Sequence, residues 1–146
     1  MNLQNLFLDP TNNALSLSSL LIRIFIGMCF IIHGLGKLGL VGSGNMAGFE
    51  GWLRSMGIPF AAIQARLAML SEIIGGALIT LGLCTRVGAV LCLVTMLVAG
   101  LIGHKGGGYL ITNTPPGREY TINLSVILLV LILLGPGLYS LDSYFF

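Results

Sequence analysis

Apolar residues in this chain do not alternate with polar ones; they run in long blocks broken by short polar or glycine-rich stretches. Four blocks come close to the roughly 20 mostly apolar residues needed to cross a bilayer. They cover about 17–38, 63–83, 86–103 and 120–141. The pattern predicts an all-α protein, an integral membrane four-helix bundle forming one transmembrane domain over residues 1–146. Little more than Cys84-Thr85-Arg86 separates the second and third blocks, so those helices are expected to be antiparallel neighbours.

The other connections are longer. Between the first two blocks, Phe49 to Gly57 reads as a short interfacial helix at about 47–56, closed by Gly57 with Pro59 beyond. Trp52 suits the headgroup level. The third connection, His104 to Glu119, holds Gly106-Gly107-Gly108 and Pro115-Pro116-Gly117 and cannot be helical throughout. Met1 to Thr11 lacks the basic segment of a signal peptide, so the first apolar block is expected to be retained.

Composition strengthens the membrane reading. The 146 residues are 55% hydrophobic and 8% charged, with a mean hydropathy of +0.97. Soluble domains carry roughly 25% charged residues. A net charge of +2 and the lack of a basic patch with interleaved aromatics argue against nucleic acid. Cys29, Cys84 and Cys92 show no CxxC spacing and read as small buried hydrophobes.

An even number of spans puts both termini and the Arg86 turn at one face and the two long loops at the other. Lys37, Arg54, Lys105 and Arg118 crowd the loop face, with Arg66 at its border. The positive-inside bias then places the loops in the cytoplasm and the termini outside. Ionisable groups within the apolar blocks are costly and usually face a bundle interior. At 1.5 Å per residue, Arg23 lies roughly 8 Å from the terminal face, Glu72 roughly 18 Å and His33 roughly 22 Å.

Glu72 and His33 therefore sit at one level and are expected to form a buried pair that works as the catalytic, proton-exchanging element. Lys37 stands one turn beyond His33, with His104 and Glu119 near the same end. These three and Arg23 are the candidate substrate-binding residues. The plainer reading has Glu72 fixing helix packing, Arg23 snorkelling to the terminal face, and His104 and Lys105 acting as interfacial anchors. Ala68, Glu72 and Gly76, with Gly75 beside them, give the small-residue spacing that lets helix backbones approach. No metal site is expected: His33, Glu72, His104 and Glu119 are acceptable ligand types, but no pair stands at a ligand spacing on one helix. No haem-attachment, P-loop, GxSxG or dinucleotide motif occurs.

The ordered segments resemble those of the DoxX family of small four-helix bacterial membrane proteins. The likeness is carried by Leu21-Ile22-Arg23 with Gly27, Phe30, His33-Gly34 and Lys37, and by Glu72-Ile73-Ile74-Gly75-Gly76 with Leu81 to Arg86. Glu119-Tyr120 and the run from Gly135-Pro136-Gly137 to Asp142 complete it. The resemblance implies an inner-membrane subunit of an oxidoreductase system, quinone-linked, with quinone as bound substrate. Since the sequence shows no electron carrier, other membrane or peripheral redox subunits would supply electrons. The alternative is a non-catalytic accessory or scaffolding subunit of a larger membrane complex. A small transporter ranks last, because inverted-repeat symmetry is missing.

Overall fold

A computed structural model describes residues 12–146; the signal-peptide reading of Met1 to Thr11 lies outside the described residues. Among them the regular structure is helical, with no strand. Helix α1 spans Asn12–Leu38, α2 Met46–Ser55, α3 Ala61–Leu81, α4 Thr85–Val98, α5 Glu119–Leu134 and α6 Asp142–Phe145. A single π-helical turn, Ala99–Gly103, extends α4. α1, α3 and α4 with its π turn are each long and apolar enough to cross a membrane, while α5 is a shorter apolar helix. α3 packs between α1 and α4, α4 packs on α5, and α5 returns to α1.

The buried stripes explain this arrangement. On α1 the stripe is Ser16, Ser19, Arg23, Gly27, Phe30 and Gly34, at the three- and four-residue steps of one helix face. On α3 it includes Ala65, Met69, Glu72, Gly75, Gly76 and Ile79. Large apolar side chains such as Phe25, Leu67, Val94 and Leu133 point outward. A water-soluble bundle would hide those and expose the polar ones. With hydrocarbon outside, small residues mark the contacts and allow backbones to close in.

Gly76 shows how close the approach is. An added Cβ would stand 2.6 Å from the Gly27 carbonyl oxygen of α1, and at neighbouring Gly75 it would stand 2.9 Å from the Gly88 oxygen of α4. α3 is therefore in near backbone contact on two sides, as the spacing around Glu72 predicts. Between α3 and α4 the chain turns at Gly82 (φ 68°), Leu83 and Cys84 (φ 47°), confirming the antiparallel hairpin.

The fourth predicted span needs correction. It ends at Leu134, not near 141, because Gly135 adopts φ 81° and Pro136 has no amide to continue the ladder. The segment that follows folds back over the bundle end. Ser19 Oγ donates to the Gly135 carbonyl at 2.8 Å, and Arg23 donates through Nη2 to the Tyr139 carbonyl. Asp142 accepts from the Cys84 and Thr85 amides at 2.6 and 3.0 Å and from the Thr85 hydroxyl at 2.9 Å. The start of α1, the α3–α4 turn and the end of α5 thus share one end.

At the opposite end, residues 104–118 close on themselves. The Gly117 and Arg118 amides bond the Leu110 and Gly108 carbonyls, each at 3.0 Å, and Glu119 N bonds Tyr109 O at 2.7 Å. The glycine- and proline-rich stretch is an ordered loop rather than a linker.

Candidate functional site

The loop end brings two polar pairs together beneath α2. Lys37 is one helical turn beyond His33 on α1. Its Nζ donates to Glu72 Oε2 of α3 at 2.5 Å, and Glu72 is 2% exposed. His33 instead meets α5, with Nε2 2.7 Å from the Tyr120 hydroxyl. Tyr120 Oη also lies 3.1 Å from Cys29 Sγ, one turn earlier on α1.

His33 and Glu72 therefore do not form the expected pair; among the described residues no hydrogen bond joins them. The reason lies at Gly34, whose missing side chain lets α1 settle against α3. A Cβ there would stand 3.1 Å from the Met69 carbonyl oxygen. That seats Gly34 on the α3 face and turns the adjacent His33 toward α5. Lys37, with a long stem and a full charge, takes the carboxylate instead.

Above these pairs the connection from α1 to α2 forms a groove of about 650 Å³. His33 and Lys37 line its floor, and Phe49 and Trp52 of α2 line its side. The two aromatic rings stack at 5.9 Å between centroids, and Lys37 Nζ stands 5.0 Å from the Phe49 centroid. α2 is held there by Asn45, whose side chain caps its first turn by accepting from the Gly48 amide at 2.8 Å. Trp52 is wedged against the π turn, where a Cβ on Gly103 would lie 2.8 Å from Trp52 Cη2.

The remaining sequence candidates lie elsewhere. Arg23 is fourteen residues before Lys37 on α1, about 21 Å along the axis. It is 1% exposed and belongs to the lock under the C-terminal segment. Snorkelling does not occur: the guanidinium is covered by Tyr139 and by Gly82, where a Cβ would come within 2.9 Å of Arg23 Cζ. His104 Nδ1 bonds the Pro116 carbonyl at 3.1 Å, and Glu119 Oε2 accepts from the Ile111 amide at 3.1 Å. Both hold the closed loop, and neither lines the groove. Among the described residues no cluster of ligand-type side chains could hold a metal ion.

Sequence reasoning missed Tyr120 as a site residue, and Phe49 and Trp52 as a binding wall. Tyr120 had a signal, since Glu119-Tyr120 is one of the segments carrying the family resemblance. Asp142 was missed as a structural group. Its partial burial pushes the carboxyl pKa up, but the Thr85 and Cys84 amides, the Thr85 hydroxyl and the charge of Arg23 outweigh that and hold it below the ordinary value.

The site combines an ammonium–carboxylate pair, an imidazole–phenol pair and an aromatic wall at the loop end of the apolar helices. Such a set can bind a flat polar ring, donate to its oxygens and exchange protons with it.

Comparison with known proteins places the chain among membrane proteins. The family model described as DoxX matches residues 18–105. An uncharacterized membrane protein of Mycobacterium tuberculosis is 34% identical over 133 residues, covering 86% of this chain and 79% of that one. A Bacillus subtilis protein named "Putative oxidoreductase CatD" is 30% identical over 138 residues, covering 92% of each chain. The inner membrane protein YphA of Escherichia coli is 33% identical over 129 residues, covering 84% of this chain and 86% of that one. No solved structure matches the chain.

Proposed function

This chain belongs to the DoxX family of membrane proteins, and from that premise we propose that it is a quinone-handling inner-membrane subunit of an oxidoreductase system. The observation that carries the reading is the groove in which His33 and Lys37 face the aromatic wall of Phe49 and Trp52. A quinone ring would lie along that wall, with its isoprenoid tail in the surrounding lipid. Lys37 would stabilise negative charge on a headgroup oxygen, His33 would exchange protons with it directly, and Glu72, buried behind Lys37, would do so through the Lys37 ammonium. Two electrons and two protons convert a quinone to its quinol. The electrons would come from a separate membrane or peripheral redox subunit. The names of the CatD and YphA relatives support the oxidoreductase and inner-membrane parts of the reading.

The cationic loop end would face the cytoplasm and the C-terminal lock the outside. A reporter fused at Phe146 should then read out as non-cytoplasmic, and a cytoplasmic signal would reverse the orientation.

Trp52 is the only tryptophan, so the groove carries its own probe. In lipid nanodiscs, titration with a short-chain benzoquinone should quench Trp52 saturably, and Lys37→Met should weaken the binding. Quenching that rises linearly and is equal in the variant would mean simple partition into lipid. That result would favour the accessory-subunit reading.

A further inference from the structure

We propose that Cys29 and Tyr120 are positioning residues that fix His33 as the Nδ1–H tautomer, making the groove a donor site that prefers the oxidised carbonyl form of its ligand. The inference rests on the quinone reading for the identity of the ligand, but not for the relay itself.

The three groups stand in line. Cys29 Sγ lies 3.1 Å from Tyr120 Oη, which lies 2.7 Å from His33 Nε2. A phenol has a single proton to donate. An imidazole nitrogen is a much stronger acceptor than a thiol sulfur, and it also makes the shorter contact. The Tyr120 proton therefore goes to Nε2, and the Cys29 thiol donates to the lone pair left on Tyr120 Oη. Each member donates once, in one direction, and such chains strengthen one another.

With Nε2 accepting, the proton of the neutral ring sits on Nδ1. His33 is exposed and lines the groove, and among the described residues Nδ1 has no hydrogen-bond partner. The tautomer of a histidine is set by the hydrogen bond its other nitrogen makes. Nδ1–H is thus left free for a ligand on a residue that lines the groove, as does Lys37, whose ammonium has only donors. A carbonyl oxygen satisfies both. A hydroxyl must turn its own proton away, and it loses an acceptor it would otherwise use.

The test is nitrogen NMR on protein labelled with 15N-histidine in nanodiscs. The chain has two histidines, and His104→Gln assigns the second signal. The neutral His33 ring should show a protonated Nδ1 and a bare Nε2. Tyr120→Phe should release this to a mixture of tautomers, and Cys29→Ala should shift it less. A protonated Nε2 in the parent protein, or an unchanged tautomer in Tyr120→Phe, would overturn the relay. If Tyr120→Phe does not fold, the parent spectrum alone decides.

Binding of a short-chain benzoquinone is then compared with that of its hydroquinone under anaerobic conditions. The parent should prefer the oxidised form, and Tyr120→Phe should reduce that preference about tenfold. An equal preference in both proteins would contradict the donor-site inference. The predicted tautomer with no binding of either form would leave the relay standing and remove the quinone reading.

Discussion

At the end where α1 begins, Arg23 is 1% exposed and gives its guanidinium to the carbonyl of Tyr139, while Asp142 gives its carboxylate to the amides of Cys84 and Thr85. At the other end Glu72 is 2% exposed and meets Lys37, and His33 meets Tyr120, beside a groove. Both ends bury charge, but they use it differently. The first end directs its polar groups mainly to backbone atoms of a turn and a C-terminal segment. The second pairs side chains with side chains and keeps His33 and Lys37 on a cavity wall. Membrane depth alone makes all of these groups functional candidates. What separates a lock from a site is the identity of the partner, and the partners set the following expectations.

Arg23→Ala should have the largest effect on folding. It opens a cavity at a fully buried position and leaves the Tyr139 carbonyl without its donor, for a loss of about 3 kcal/mol. Thermal unfolding in nanodiscs reads this, and quinone affinity of the fraction that stays folded should be unchanged. A stable variant with lost affinity would erase the distinction between the ends.

Glu72→Gln should do the opposite. It nearly keeps the shape and can still accept from Lys37, so the unfolding temperature should move little. Turnover with the redox partner should fall about a hundredfold if Glu72 exchanges protons. Equal turnover would reduce Glu72 to a packing role.

The fold was largely legible, because blocks of apolar residues are an unambiguous membrane signal and small-residue spacing marks close helix contacts. Gly75 and Gly76 behave as their spacing predicts. The site was half legible. Depth along a helix follows from residue number, which placed Glu72, His33 and Lys37 near one end. Direction around the helix depends on which face the neighbours take, and Gly34 decides that for His33. Arg23, Glu119 and His104 lie away from the groove because their partners are backbone carbonyls and amides, which every residue carries and no motif reveals. The early stop of α5 was readable in Gly135-Pro136-Gly137, but its consequence was not: the freed segment returns to lock Arg23.

Asp142 gives a pH test confined to the locked end. Its carboxyl is held below the ordinary value, so its contribution to stability is fully present above the unfolded-state value. That contribution fades as pH falls through the lower folded-state value. The unfolding temperature should therefore drop below about pH 4, and Asp142→Asn should flatten the drop while costing about 1 kcal/mol at neutral pH. An unchanged pH profile in the variant would show that the carboxylate does not hold the α4 start.

Phe49→Leu should have the smallest effect: it keeps an apolar wall but removes ring stacking and the cation–π contact with Lys37. A loss of a few-fold in quinone affinity is expected, with no change in unfolding temperature.

The most direct test of the central claim is photo-crosslinking with a quinone that carries a reactive group on its ring, followed by peptide mapping. Label is expected between Ile32 and Trp52, reduced by excess unlabelled quinone and by Lys37→Met. Label concentrated around Arg23 and Tyr139, or spread evenly along the lipid-facing helices and insensitive to competition, would contradict it.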